Sequence, residues 1–194
     1  MINSILINLP KRVDRFEHCV NEFKKLFGEF TCIVNPGIDM PDSTTLAIRE
    51  AHKNCINDAK ILSFDKVLII EDDICFRDNS KPYFDELMAN LPEDYEVCLF
   101  GIYGGAITEL ENKYWNKINK FSGAHFYLVN QNAYNKILDY NGTRPIDHWI
   151  GENLNCYISK KHFAYQLDGY SDNSKCVTDY NRTNLSKYEK YFLV

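Results

Sequence analysis

Four consecutive apolar residues, Val67-Leu68-Ile69-Ile70, run straight into three carboxylates, Glu71-Asp72-Asp73, and that junction limits what the chain can become. A run of β-branched and leucine residues without polar alternation suits a strand buried on both faces, as in the middle of a parallel sheet. The carboxylates would then stand at the strand's C-terminal end, where open α/β sheets place their ligands. Negative charges packed at one point repel one another unless a cation shares the site, and carboxylate oxygens are the ligands that hard divalent ions prefer. The plainer alternative is a strand reaching solvent just before a helix that wants acidic residues at its start.

Composition excludes several classes. A chain of 194 residues, 45% hydrophobic and 25% charged, predicts one globular domain with a proper core, not a disordered or fibrous protein. A net charge of −5 gives no overall basic field for nucleic acid and leaves only local patches, at Lys113, Lys117 and Lys120 or at Lys160 and Lys161. The seven cysteines are odd in number, scattered and without a Cys-x-x-Cys pair, which predicts reduced thiols instead of a disulfide framework or zinc knuckle. No apolar run is long enough to span a membrane, and Met1 to Leu9 lacks the basic start and apolar stretch of a signal peptide. The expectation is a cytoplasmic protein with no transmembrane segment and at most a peripheral membrane association. Asn181-Arg182-Thr183 fits a glycosylation pattern, which that location makes coincidental.

Ser4 to Leu9 predicts a first strand, stopped by Pro10, which cannot donate to a central ladder. Val13, Phe16, Val20, Phe23 and Phe27 recur every three or four positions and predict an amphipathic helix ending near Gly28. Between them Lys11-Arg12-Val13-Asp14-Arg15 is a basic turn, and strand, basic turn, helix is a nucleotide-binding arrangement. A strand at 30–34, a helix at 44–59, a helix opening at Asp78 to Pro82 and a strand at 96–100 continue the alternation. Such alternation predicts a mainly parallel sheet with right-handed crossovers. Beyond residue 100, Gly101 to Gly105 reads as a flexible loop, 115–121 and 124–130 as strands around Ser122-Gly123, 133–138 as a helix, Pro145 to Trp149 as a short helix and 163–167 as a last strand. From Asp168 onward the chain is polar, tyrosine-rich and aperiodic, and reads as a tail that folds over the site or onto a partner.

Four segments in order, Ile7-Asn8-Leu9-Pro10-Lys11-Arg12-Val13-Asp14-Arg15, Val67 to Asp73, Gly123-Ala124-His125-Phe126-Tyr127-Leu128-Val129 and Pro145-Ile146-Asp147, resemble glycosyltransferase family 25. That family includes lipooligosaccharide and collagen galactosyltransferases, and the match in order and spacing runs over about residues 2 to 172. The resemblance implies an α/β fold of GT-A type: a Rossmann-like mixed, mainly parallel sheet flanked by helices. Residues 1–100 would form the nucleotide-sugar half and 101–172 the acceptor and catalytic half, with 173–194 as tail. It further implies a metal-dependent, inverting transferase that moves a sugar from a nucleotide diphosphate, by analogy a UDP-sugar, to a hydroxyl on a glycan such as lipooligosaccharide. Glu71 and Asp73 then correspond to the outer positions of the DxD motif as ligands of Mn2+ or Mg2+, and Asp72 turns to sugar or ribose hydroxyls. A divalent ion on the diphosphate would stabilise the charge gathering there as the sugar bond breaks.

Asn8 and Leu9 close the first strand and Arg12 and Arg15 follow it, where this fold receives the nucleotide. For the arginines the alternative is a pair of solvated helix-start charges. Asp147 is the candidate base for the acceptor hydroxyl, with a helix N-cap as its alternative; Asp172 is the second candidate, as base or at the metal or diphosphate. His148 is the candidate third metal ligand, whereas His125, beside an apolar strand, reads as structural. A phosphate-accepting receiver domain would carry its acidic pair after the first strand, whereas this triplet begins at Glu71. Two other readings stay open: a phage or viral enzyme that glycosylates hydroxymethylated bases in DNA, and a sugar-binding protein without catalysis.

Overall fold

The computed structural model describes residues 2–180 and 189–193; Asn181-Arg182-Thr183 lies outside them. In chain order the first elements are β1 (Ser4–Asn8), α1 (Val13–Phe27), β2 (Ile33–Pro36), α2 (Thr44–Ile61), β3 (Lys66–Glu71), β4 (Ile74–Phe76), α3 (Ser80–Ala89) and β5 (Val97–Leu99). There follow β6 (Gly104–Thr108), β7 (Trp115–Ser122), β8 (Phe126–Asn130), α4 (Gln131–Asp139), α5 (Ile146–Asn153), β9 (Cys156–Ser159), β10 (Ala164–Gln166), β11 (Gly169–Ser171) and β12 (Cys176–Thr178).

One sheet of eight strands, in the order β2-β1-β3-β8-β5-β9-β7-β6, holds the molecule together. Val67, Leu68, Ile69 and Ile70 are fully buried in it, and the period of two in a strand sends them to two sides. Val67 and Ile69 pack with Cys55, Ile56 and Ala59 of α2 and with Ile137 and Ile150 of α4 and α5. Leu68 and Ile70 pack with Cys19, Phe23 and Leu26 of α1 and with Phe84 and Leu87 of α3. Each of these side chains contributes roughly 2 kcal/mol by leaving water. Helix α1 covers the predicted residues and stops at Gly28, whose φ of 83° is left-handed and whose N–H bonds Lys24 O at 2.8 Å.

The sheet is mixed and flanked by helices, as the resemblance implied, and its antiparallel pairs are what strand–helix alternation alone does not foresee. β1 is parallel to β2 and β3, and β5 is parallel to β9, but β8 runs antiparallel between β3 and β5. Strand β2 lies at 33–36 instead of 30–34, and β4, β6, β9, β11 and β12 had no sequence counterpart. Gly104 and Gly105 belong to β6, not to a flexible loop. A Cβ on Gly101 would stand 1.8 Å from Ala164 O and one on Gly105 2.7 Å from Lys120 O, so these glycines permit close backbone packing. All seven cysteines are free thiols. Among the described residues no helix is long and apolar enough to cross a membrane.

Candidate functional site

Strand β3 delivers Glu71 to the C-terminal edge of the sheet, and the turn into β4 holds Asp72 and Asp73, both buried. Asp72 accepts hydrogen bonds from Asn8 Nδ2 at 2.8 Å and Arg15 Nη1 at 3.1 Å. Asp73 Oδ2 accepts from the same Arg15 nitrogen and from Gln166 Nε2, each at 3.4 Å. Its other oxygen, Oδ1, is buried with no partner among the described residues. Burial, reinforced by the charge of Glu71, pushes the Asp73 carboxyl up to about 7. Burial also raises Asp72, against the opposing pull of Arg15 and Asn8.

Glu71 is steered from behind by two residues that sequence reasoning missed. His52 Nε2 lies 3.0 Å from Glu71 Oε1, and His52 Nδ1 lies 2.7 Å from the Tyr127 hydroxyl. Burial drives the Tyr127 phenol well above its ordinary range, so it keeps its proton and donates to Nδ1. The ring's own proton then sits on Nε2 and points at Glu71. A signal existed: His52 falls in the apolar stripe of Ile48, Ala51, Cys55 and Ala59, and a polar residue buried in such a stripe requires partners.

The basic turn after β1 reaches over this cluster. Arg15 is 12% exposed and also donates through Nη2 to Tyr170 O at 2.7 Å, so it is no solvated helix-start charge. Arg12 bonds Asp14 through Nε at 2.9 Å and pairs with Asp172 at 2.5 Å, while Lys11 pairs with Asp39 at 2.7 Å and stands 3.8 Å from Asp172. The aperiodic tail proves to contain the hairpin β11–β12, antiparallel, fastened across the site by these contacts and by Lys175 to Pro41 O at 2.8 Å. Beneath it is a cavity of about 290 Å³ walled by Leu9, Gly37, Met40, Pro41, Arg15 and the three carboxylates. Its size and its mixture of apolar walls and convergent charges suit a small polar ligand.

A second cavity of about 320 Å³ adjoins the first, and Ile48, His52, Glu71, Gln166 and Ser171 line both. Asp147 faces it from α5, with Oδ2 accepting from Gly123 N at 3.0 Å and Oδ1 from His148 N at 2.8 Å. The cap residue of α5 is Pro145, which removes the N-cap alternative for Asp147. The His148 ring lines neither cavity, and its Nε2 lies 2.9 Å from Ser122 Oγ. His125 is fully buried, which lowers its pKa. The lysine patches are largely engaged, Lys113 with Glu86 at 3.1 Å, Lys117 over the Tyr157 ring at 3.7 Å and Lys160 with Leu110 O at 2.5 Å.

Glu71 and Asp73 fit a divalent ion of the kind that arrives with a phosphate ligand. Asp73 Oδ1 is a buried acceptor with no partner among the described residues, and a positive ion beside it would offset the cost of burying this carboxylate's charge. Among the described residues no three His, Cys, Asp or Glu side chains form a metal cluster, so the chain alone supplies no full cage. Mg2+ characteristically takes one or two carboxylates and completes its shell with substrate phosphates and water.

No family model matches this sequence, and no curated protein matches it. Solved structures do. A197 from STIV is similar over 92% of this chain and 94% of that one, with a TM-score of 0.53 at 13% identity. A UDP-glucose pyrophosphorylase complexed with UDP-glucose is similar over 98% of this chain and 100% of that one, with a TM-score of 0.52 at 11% identity. A glycosyltransferase involved in glycosylation of the major capsid of PBCV-1 aligns over 71% of this chain and 64% of that one, with a TM-score of 0.45 at 13% identity. At such identities the likeness is one of fold, and it does not reach glycosyltransferase family 25 itself: the chain has the Rossmann-like α/β architecture that the pyrophosphorylase also has.

Proposed function

We propose that this chain is an inverting glycosyltransferase that moves a sugar from a nucleotide diphosphate, of UDP type, to a hydroxyl group on a glycan. The observation that carries the reading is the join at Glu71, which lines both a cavity edged by cations and carboxylates and a second cavity holding Asp147. Arg15 and Lys11 would meet the diphosphate, Leu9, Gly37, Met40 and Pro41 would wall in the nucleoside, and Asp72 would face its hydroxyls. In the transfer the acceptor oxygen bonds to the anomeric carbon and the bond from that carbon to the diphosphate oxygen breaks, its electron pair leaving with the diphosphate. The acceptor's proton passes to a carboxylate facing the second cavity, for which Asp147 is the candidate. Mn2+ or Mg2+ held by Asp73 and Glu71 would supply positive charge to the leaving diphosphate.

Thermal melting with a panel of nucleotide sugars, each with and without Mn2+, tests the reading. The expected result is a rise that needs both the metal and one member of the panel, since a ligand bound only by the folded state stabilises it. No rise with any member overturns the donor assignment, and a rise without turnover on any acceptor favours the silent sugar-binding alternative. A smaller effect is expected behind the site. Tyr127→Phe removes the hydroxyl that fixes His52, and turnover should fall roughly 10- to 100-fold, the usual scale for a residue orienting a ligand-contacting group. The donor KM should change about twofold or less, and an unchanged kcat would show that Glu71 needs no such support.

A further inference from the structure

Resting on that donor reading, we infer that the second cavity is the acceptor subsite and that it is built for uncharged carbohydrate hydroxyls and against acidic acceptors. Its position follows from the shared wall: whatever occupies it abuts the carboxylate edge of the first cavity through Glu71, His52 and Gln166. Two carboxylates from separate elements enter it, Glu71 from β3 and Asp147 from α5.

Both are fixed as acceptors. Asp147 receives a backbone N–H on each oxygen, at 3.0 and 2.8 Å, and each oxygen keeps a further lone pair for a ligand. Glu71 has Oε1 occupied by His52 at 3.0 Å. A sugar presents several hydroxyl donors, which is what two fixed carboxylates take up. The Tyr103 and Tyr180 rings, edge to face at 5.4 Å, both line the cavity and offer apolar surface to the C–H face of a sugar ring. A phosphate or carboxylate on the acceptor would meet Asp147, and in the metal-free chain Glu71 as well, at close range in a partly desolvated pocket, where like charges repel strongly. Nucleic acid, with a phosphate on every nucleotide, is the extreme case.

The test maps binding by NMR on the full isotope-labelled chain, which needs neither donor nor turnover. The probes are lactose, maltose, cellobiose and chitobiose, a phosphorylated form of each, and duplex DNA carrying 5-hydroxymethylcytosine. The expected result is that at least one neutral disaccharide shifts the Gly123 amide, which donates to Asp147, together with Tyr103. Its Kd should be at least tenfold lower than that of its phosphorylated form, with DNA leaving these signals in place. Thr178→Lys, which puts a cation on the half-buried hairpin wall of the same cavity, should narrow or reverse that ratio about tenfold, as one close charge pair would. Equal or tighter binding of the phosphorylated form or of DNA overturns the inference, as does failure of every neutral probe to move these signals. Failure of the nucleotide-sugar melting panel overturns the donor reading instead, so the two are told apart.

Discussion

Asp73→Asn is expected to cut turnover by on the order of a thousandfold or more while making the metal-free protein harder to melt at pH 8. The first effect follows from removing the negative charge that would meet the cation; the second follows from linkage. Asp73 has a folded pKa near 7 against an ordinary 3.8, so between those values the folded state holds a proton that the unfolded state has released. Stability from this group is therefore full below about pH 4 and falls as pH rises towards 7. Asparagine keeps the shape and never ionises. In chelator at pH 8 the variant should gain roughly 1–3 kcal/mol, or about 2–12 °C in Tm for a chain of this size. At pH 4 the gain should vanish. Calorimetry at the two pH values decides, and a difference that does not depend on pH would remove burial of this carboxylate as its cause.

Arg15→Met is expected to have the opposite sign and a larger size. One guanidinium answers Asp72 at 3.1 Å, Asp73 at 3.4 Å and Tyr170 O at 2.7 Å, with the arginine and both carboxylates nearly shut away from water. Truncating one partner of a buried charge network leaves the others uncompensated, at roughly 3–5 kcal/mol, or about 6–20 °C in Tm. Adding Asp73→Asn to Arg15→Met should restore roughly 1–2 kcal/mol beyond additivity, because the charge left stranded has then been removed. A melting point for Arg15→Met within about 1 kcal/mol of the parent would mean that Asp72 and Asp73 do not depend on this contact. Arg15→Lys should rescue only in part, since a single ammonium cannot make the planar fork across two carboxylates and a carbonyl.

What was legible in the sequence was whatever depends on near neighbours. The apolar run at Val67 to Ile70 gave a strand buried on both faces, and the spacing of Val13, Phe16, Val20, Phe23 and Phe27 gave α1 with its end at Gly28. The segment Phe126 to Asn130 was readable as a strand, but nothing in it says that it enters antiparallel between β3 and β5, because that choice is made by residues far away in sequence. The short strands β4, β11 and β12 are three residues each, too brief for any period to register. In the site, Asn8, Leu9, Arg15 and the acidic triplet do come together, Asp172 comes to the mouth by pairing with Arg12, and Asp147 reaches the adjoining cavity. His148 does not join them, since the turn of α5 carries it to Ser122. His52, Tyr127 and Gln166 were missed because each acts across the fold, from the buried side of a helix or strand, on a residue distant in sequence.

The antiparallel strand β8 also sets the order in which this molecule can be made. Ile70 of β3 pairs with Phe126, and Leu99 of β5 pairs with Tyr127, so neither earlier strand has its inner neighbour until β8 has been synthesised. A nascent chain that has emerged only as far as β5 exposes the inner edge of β3 and both edges of β5, whose other neighbour β9 comes later still, a state prone to pairing with other chains. Closing the gap means joining contacts of long sequence separation, which makes for slow folding. Fragments cut near residue 100 should therefore be recovered as aggregates, and re-supplying the remainder as a separate peptide should restore soluble material only if it contains Phe126 to Asn130.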